Sequence, residues 1–285
     1  SAIQLFQIID QATFIHVMGW ISKYSKSELL VQFAYFSANP NKITMILIAV
    51  ATSIGGVGIP LLTENYVKGD FRSAARLVQD NLSMLIFFIL PATIGAVLVA
   101  EPLYTVFYGK PDGLALGLFI FAMLQTIILS LYTVLAPMIQ ALFQNRKAII
   151  YFLYGVGVKL VLQVPLIYIF KAYGPLLATT VGLIIPILLM YREIRQVTGL
   201  NPKNLFKRSL LSVILTVLMT IFVLVAELLI GLFLHPSGRI SSFVYIALIG
   251  GIGLAVYGGL ALKVRLMDRF IGSKAASLRR RFHIY

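Results

Sequence analysis

Lys159 is the residue in this sequence with the most chemistry to explain. It lies near the middle of the apolar run 148–170, with Gly155, Gly157 and Gln163 around it. An ammonium at the centre of a bilayer costs about 2.5–3.5 kcal/mol on insertion scales, so it faces an opposite charge or a wet cavity. Asp10 is the other charge at comparable depth, in an apolar run that also carries Gln4, Gln7 and Gln11 at i, i+3 and i+7. These side chains make one polar stripe on an otherwise apolar helix, and such a stripe faces a bundle interior or a cavity rather than lipid. Two readings of Lys159 follow. It is a cavity cation that meets an anionic ligand, or it is a structural lysine paired with Asp10 or with a backbone carbonyl.

Other chemistry is missing from the pattern. His16, His235 and His283 are scattered over the chain, and there is no cysteine. No HExxH, GxSxG or Walker A motif and no paired-carboxylate motif occurs, so no catalytic residue, metal ligand or bound cofactor is assigned, and an enzyme is not expected. The net charge of +14 would suggest a nucleic-acid partner in a soluble protein. Here the basic residues cluster between long apolar runs, which points to loops on one side of a membrane and not to nucleic acid.

The elements that must position these residues are membrane helices. The 285 residues are 59% hydrophobic and 12% charged, against about 25% charged in a soluble domain. The fold class is all-α, a polytopic membrane protein with about eight transmembrane helices, at 3–21, 43–63, 82–100, 114–136, 148–170, 173–191, 209–234 and 240–262. Each is near the ~20 residues that cross ~30 Å of hydrocarbon. The alternate connections 64–81, 137–147, 192–208 and 263–285 hold 17 of the 24 Lys and Arg, and the others hold 6. The positive-inside rule then puts the basic connections and both ends of the segment in the cytoplasm. The chain begins at Ser1 with no basic leader, which reads as the cut end of a longer protein and not as a signal peptide.

Two connections carry further signals. The second span has Gly55, Gly56 and Gly58 before Pro60, a set that permits close helix approach and bending of the kind a gate requires. The charged stretch after it starts a helix at Gly69-Asp70, with Asp70 as its cap. Phe71, Ala74, Ala75, Leu77 and Val78 share one face, and Arg72 and Arg76 share the other. This reads as a short interfacial cytoplasmic helix between two spans, or as a solvated connector. Loop 22–42 is broken by Asn39-Pro40-Asn41, and its apolar part reads as resting on the membrane. In the last span Ala247, Gly251, Ala255 and Gly259 form a small-residue stripe expected to pack against the seventh.

The order and spacing of IPLLTENYVKGDFRSAARLV, the Pro91-containing span, AEPLYTVFYG, ALFQNRKA and YGPLLATTVGLIIP add a resemblance. The chain resembles the multidrug/oligosaccharidyl-lipid/polysaccharide (MOP) flippase superfamily. Within it, the chain is similar to the MurJ-like lipid II flippases and their YtgP/SpoVB-like relatives. The resemblance implies a fourteen-helix protein of which this chain is the C-terminal portion. Residues 1–191 would be the second six-helix lobe, 192–208 a cytoplasmic linker, 209–262 the terminal helix pair and 263–285 a basic tail. Its implied activity is alternating-access transfer of lipid II or a related prenyl-diphosphate-linked saccharide across the bacterial cytoplasmic membrane. Implied partners are membrane lipid, that substrate and a missing N-terminal lobe, with coupling to Na+, H+ or the membrane potential.

The resemblance also implies roles. Lys159 and Lys42 would attract the diphosphate, with Lys42 standing where relatives carry an Arg at the start of the eighth helix. Asp10 would pair with a cation or couple to an ion, and Gln4, Gln7 and Gln11 would hydrogen-bond the headgroup. The alternatives left open are a cation-coupled multidrug exporter of the same superfamily and a non-transporting scaffold for cell-wall synthases.

Overall fold

A computed structural model describes residues 1–285 and contains helices and turns but no strand. The chain divides into two compact units. One comprises Ser1–Ala75 and Asp112–Leu200, the other Arg76–Pro111 and Asn201–Tyr285.

The first unit opens with α1 (Ala2–Ile21), capped by the Ser1 hydroxyl, then α2 (Lys26–Phe36), α3 (Ala38–Gly56) and α4 (Ile59–Val67). α5 (Phe71–Leu98) starts in this unit and continues into the second, where α6 (Ala100–Tyr108) follows. The first unit resumes with α7 (Gly113–Ala141), α8 (Asn145–Phe170) and α9 (Gly174–Thr198). The second unit adds α10 (Pro202–Ile230), α11 (Arg239–Lys263), and two short helices, α12 (Asp268–Ile271) and α13 (Ser273–Arg281).

Seven of the eight expected spans each overlap one helix, whereas 43–63 is divided between α3 and α4 at Val57-Gly58. Six stretches are long and apolar enough to cross a membrane; one of them, Asn145–Thr198, holds both α8 and α9, joined by a three-residue 3-10 turn. α1 falls outside the six because its polar stripe dilutes an otherwise apolar helix. Large apolar side chains such as Val161, Leu188, Leu228 and Leu254 are exposed, as expected where the solvent is lipid.

Four expectations are revised. The connection 22–42 contains α2, started by a reciprocal cap in which Ser25 Oγ accepts from the Glu28 N–H at 3.2 Å and Glu28 Oε2 from the Ser25 N–H at 2.7 Å. Leu29, Gln32 and Phe36 turn into the protein while Leu30 and Val31 are exposed. Pro40 does not break the chain; it sits in the first turn of α3, where a missing N–H costs nothing.

The stretch after Asp70 is not a separate interfacial helix. Asp70 accepts from the Ser73 N–H at 3.1 Å and starts α5, which runs unbroken to Leu98. No Gly or Pro interrupts residues 71–90, so the amphipathic turns and the span propagate as one helix. Its 28 residues extend about 42 Å, more than the ~30 Å of hydrocarbon, so the turns bearing Arg72 and Arg76 project beyond it. The small-residue stripe of α11 is the fourth revision. Ala247, Gly251 and Ala255 are exposed, and Ile249, Gly253 and Tyr257 face α10 instead.

Candidate functional site

Three helices of the first unit converge on Lys159. α8 presents Lys159 and Gln163, one turn apart on the same face. α9 presents the Pro175 carbonyl and Thr179, and α1 presents Asp10 and Thr13. The convergence depends on two glycines. A Cβ on Gly155 of α8 would lie 2.4 Å from the Gly182 carbonyl oxygen, and one on Gly182 of α9 would lie 2.9 Å from the Gly155 carbonyl oxygen. Only glycine at both positions lets the two backbones meet, and that approach brings Lys159 within reach of α9.

The Lys159 ammonium uses all three of its donor directions. It donates to Asp10 Oδ1 at 2.6 Å, to Thr179 Oγ1 at 2.7 Å and to the Pro175 carbonyl at 3.3 Å. Gln163 Nε2 donates to the same Asp10 oxygen at 2.9 Å and to Thr13 Oγ1 at 2.9 Å. The Phe6 ring covers the ammonium, its centroid 5.5 Å from Nζ. Lys159 is 0% exposed and Asp10 6%. A buried pair of this kind is held by geometry and by the extra hydrogen bonds, because desolvation cancels much of the attraction. The Gln163 Oε1 atom is buried with no partner.

Beside the pair lies a cavity of about 50 Å³ with a mixed lining, polar at Gln7, Asp10, Asn41, Thr44, Gln125 and Thr179 and apolar at Ile3, Phe6, Phe36, Leu129 and Leu176 among others. Gln7 Nε2 donates to Asn41 Oδ1 at 3.4 Å across its mouth, and Gln125 Nε2 donates to the Leu176 carbonyl at 2.7 Å. It is roomy enough for water and too small for a saccharide.

The sequence candidates therefore separate. Asp10 and Lys159 come together as a pair, and Gln7 joins them at the cavity. Gln4, Gln11 and Lys42 do not; all three are exposed on α1 and α3. Gly55 packs so closely on α7 that a Cβ would lie 2.5 Å from both Val134 methyls, whereas Gly56 is open. At Gly58, with φ of +84°, the helix breaks, and Pro60 restarts it inside the first turn of α4. At the far end of α8 and α9, Lys147 Nζ lies 2.7 Å from Glu193 Oε1, and that hydrogen bond holds the Lys147 ammonium above its usual pKa. Thr13, Thr179 and Gly182 were not singled out from sequence. A search for hydroxyls one turn after Pro175 would have found Thr179.

The second unit has its own feature, an apolar cavity of about 370 Å³ between α5, α10 and α11, lined by Phe87, Pro91, Gly95, Val223, Gly253 and Tyr257 among others. Pro91 lacks the N–H that would have met the Phe87 carbonyl four residues earlier. The Tyr257 hydroxyl donates to that carbonyl instead, at 2.7 Å.

A family profile described as "Lipid II flippase MurJ" matches residues 18–248. The chain belongs to the MurJ family. Proteins of the MurJ family are multi-pass membrane transporters rather than enzymes. A MurJ relative, "Lipid II flippase MurJ" of Bacillus subtilis (strain 168), is 28% identical over 277 residues, 96% of this chain and 51% of the relative. A solved structure titled "Lipid II flippase MurJ, inward closed conformation" superposes with a TM-score of 0.66 at 17% identity, over 89% of this chain and 50% of that one. The chain thus spans about half the length of the MurJ proteins it matches, and it shares their fold over that half.

Proposed function

We propose that this chain is the C-terminal half of a lipid II flippase. The whole protein moves a prenyl-diphosphate-linked cell-wall precursor from the inner to the outer face of the bacterial cytoplasmic membrane by alternating access. The observation that carries this reading, beyond family membership, is the exposed polar face of the first unit. Gln4 and Gln11 on α1 and Lys42 on α3 stand exposed on otherwise apolar helices. Lipid does not solvate such groups, so they need a polar cavity or a covering lobe. An N-terminal lobe of similar length supplies that cover, and the space between holds the headgroup. Lys42 then meets the diphosphate by charge-assisted hydrogen bonds.

The buried pair has a different part. Lys159 has its donors occupied and no exposed surface, so in this arrangement it clamps α1, α8 and α9 together and does not touch substrate. Breaking or re-forming the pair is a step of the transport cycle, coupled to Na+, H+ or the membrane potential. The break at Gly58 lets α3 and α4 change angle. Residues 209–262 form the terminal pair, and the apolar cavity between α5, α10 and α11 takes the prenyl tail. The basic ends of the helices face the cytoplasm, in agreement with the charge count.

The test is growth. The parent reading frame, extended upstream through any first lobe, is expressed in a bacterium depleted of its own lipid II flippase. Rescue is the expected result, with Lys42→Gln reducing it and Lys42→Arg retaining it. Failure of a well-expressed membrane protein to rescue would count against lipid II as the substrate.

A further inference from the structure

The second unit carries a charge imbalance that transport does not explain. α11 is long and apolar enough to cross a membrane, and it stops at Lys263. The residues after it do not run away from the helix. Arg279 Nη1 donates to the Leu262 carbonyl in the last turn of α11 at 3.2 Å, and Ala275 of α13 is fully buried. The hairpin of α12 and α13 is thus folded back on the end of α11.

Two acids of this unit lie at that end, and both are already used. Asp268 takes Arg279 in a two-pronged pair, with Oδ2 2.9 Å from Nη2. Asp80 takes Arg208 of α10 at 2.6 Å. What remains in the tail is six exposed cations: Lys263, Arg265, Arg269, Lys274, Arg280 and Arg281. Lys203 and Lys207, exposed in the first turns of α10, add to the same end. Apolar side chains stand among them, with Phe282 62% and Tyr285 92% exposed. Clustered cations with interleaved aromatic groups, fixed next to the end of a span, match the negative surface of a leaflet and the apolar layer just beneath it.

We infer that the α12–α13 hairpin is an anionic-phospholipid docking surface, which holds several acidic headgroups of the leaflet at that end. The Asp268–Arg279 pair makes the hairpin rigid, and the unpaired cations bind. This reading does not depend on the identity of the transported lipid.

The full chain carrying Ser277→Cys, its single cysteine, is labelled with a fluorophore at this exposed position. It is then reconstituted in phosphatidylcholine bilayers with increasing phosphatidylglycerol bearing a headgroup quencher. Quenching is expected to rise with phosphatidylglycerol. At about 1 kcal/mol per cation, it should need at least tenfold more of that lipid in the variant Arg269→Gln/Lys274→Gln/Arg280→Gln/Arg281→Gln. It should also weaken in about 1 M salt, where charges are screened within about 3 Å. Lys23→Gln/Lys26→Gln, just before α2 and in its first turn, should leave it unchanged.

Equal quenching in parent and fourfold variant would overturn the inference and leave the tail as an orientation signal. Quenching indifferent to salt would do the same, as would displacement of the lipid by an acidic peptide or an RNA oligomer at lower concentration. If the fourfold variant does not reconstitute, the lipid and salt titrations of the labelled parent decide alone.

Discussion

At Lys159 the chain buries a full charge and surrounds it with three acceptors from two other helices. The cost of that arrangement appears when one partner is removed. Lys159→Met leaves the Asp10 carboxylate buried and unpaired, and is expected to lower stability by about 3–5 kcal/mol. Asp10→Asn/Lys159→Met should recover more than half of that loss, measured as unfolding in detergent micelles. Additive losses would show that the two residues do not act as a pair. Tyr257 poses the same question for a neutral group. Tyr257→Phe removes the donor that the Phe87 carbonyl uses in place of Pro91, and should cost about 1–3 kcal/mol in the same assay.

The pairing of Asp10 with Lys159 was legible because the sequence holds just these two charges at matching depth. Thr179 and Gln163 were less legible as partners. Hydroxyls and amides are common in membrane helices, and spacing does not say which of them turns inward.

Helices were readable as lengths, less so as faces. In water a packed face is apolar and the other polar; in lipid both are apolar, so the pattern along α11 could not separate its packed side from its exposed one. The same blindness hid α2, whose mixed composition suited a loop as well as a helix until its serine cap is considered. The glycines now sort themselves by what a methyl would meet. Gly182→Ala should push α8 from α9 and cost about 1–3 kcal/mol. Gly157→Ala, with nothing within 4 Å, should be neutral or up to about 1 kcal/mol stabilising. Thermal unfolding of the two variants side by side checks this.

The α12–α13 hairpin has a pH dependence of known sign. The hydrogen bond from Arg279 holds the Asp268 carboxyl below its usual pKa. Its contribution is therefore complete above the ordinary carboxylate value of about 3.9. It is lost as pH falls through the lower folded value. Hydrogen-exchange protection of residues 268–281 should be flat from neutral pH down to about 4 and should drop below that.

For the whole molecule, the all-α membrane class and the family were readable because long apolar runs and the order of short motifs survive where individual side chains drift. The exposed polar face of α1 and α3 was not readable from the stripe alone, since half of that stripe turned inward to Lys159. That division, a buried pair on one side and exposed polar groups on the other, is what a transport half would show to a second lobe across a headgroup-sized space.

The most direct measurement is the sidedness of lipid II in flippase-depleted cells expressing the parent reading frame. Lipid II is probed by an externally added enzyme that cleaves it at the diphosphate. Lipid II should become accessible from outside with the parent and should do so to a smaller extent with Lys42→Gln. Lipid II that remains inside despite abundant, folded parent protein in the membrane would contradict the proposed flipping.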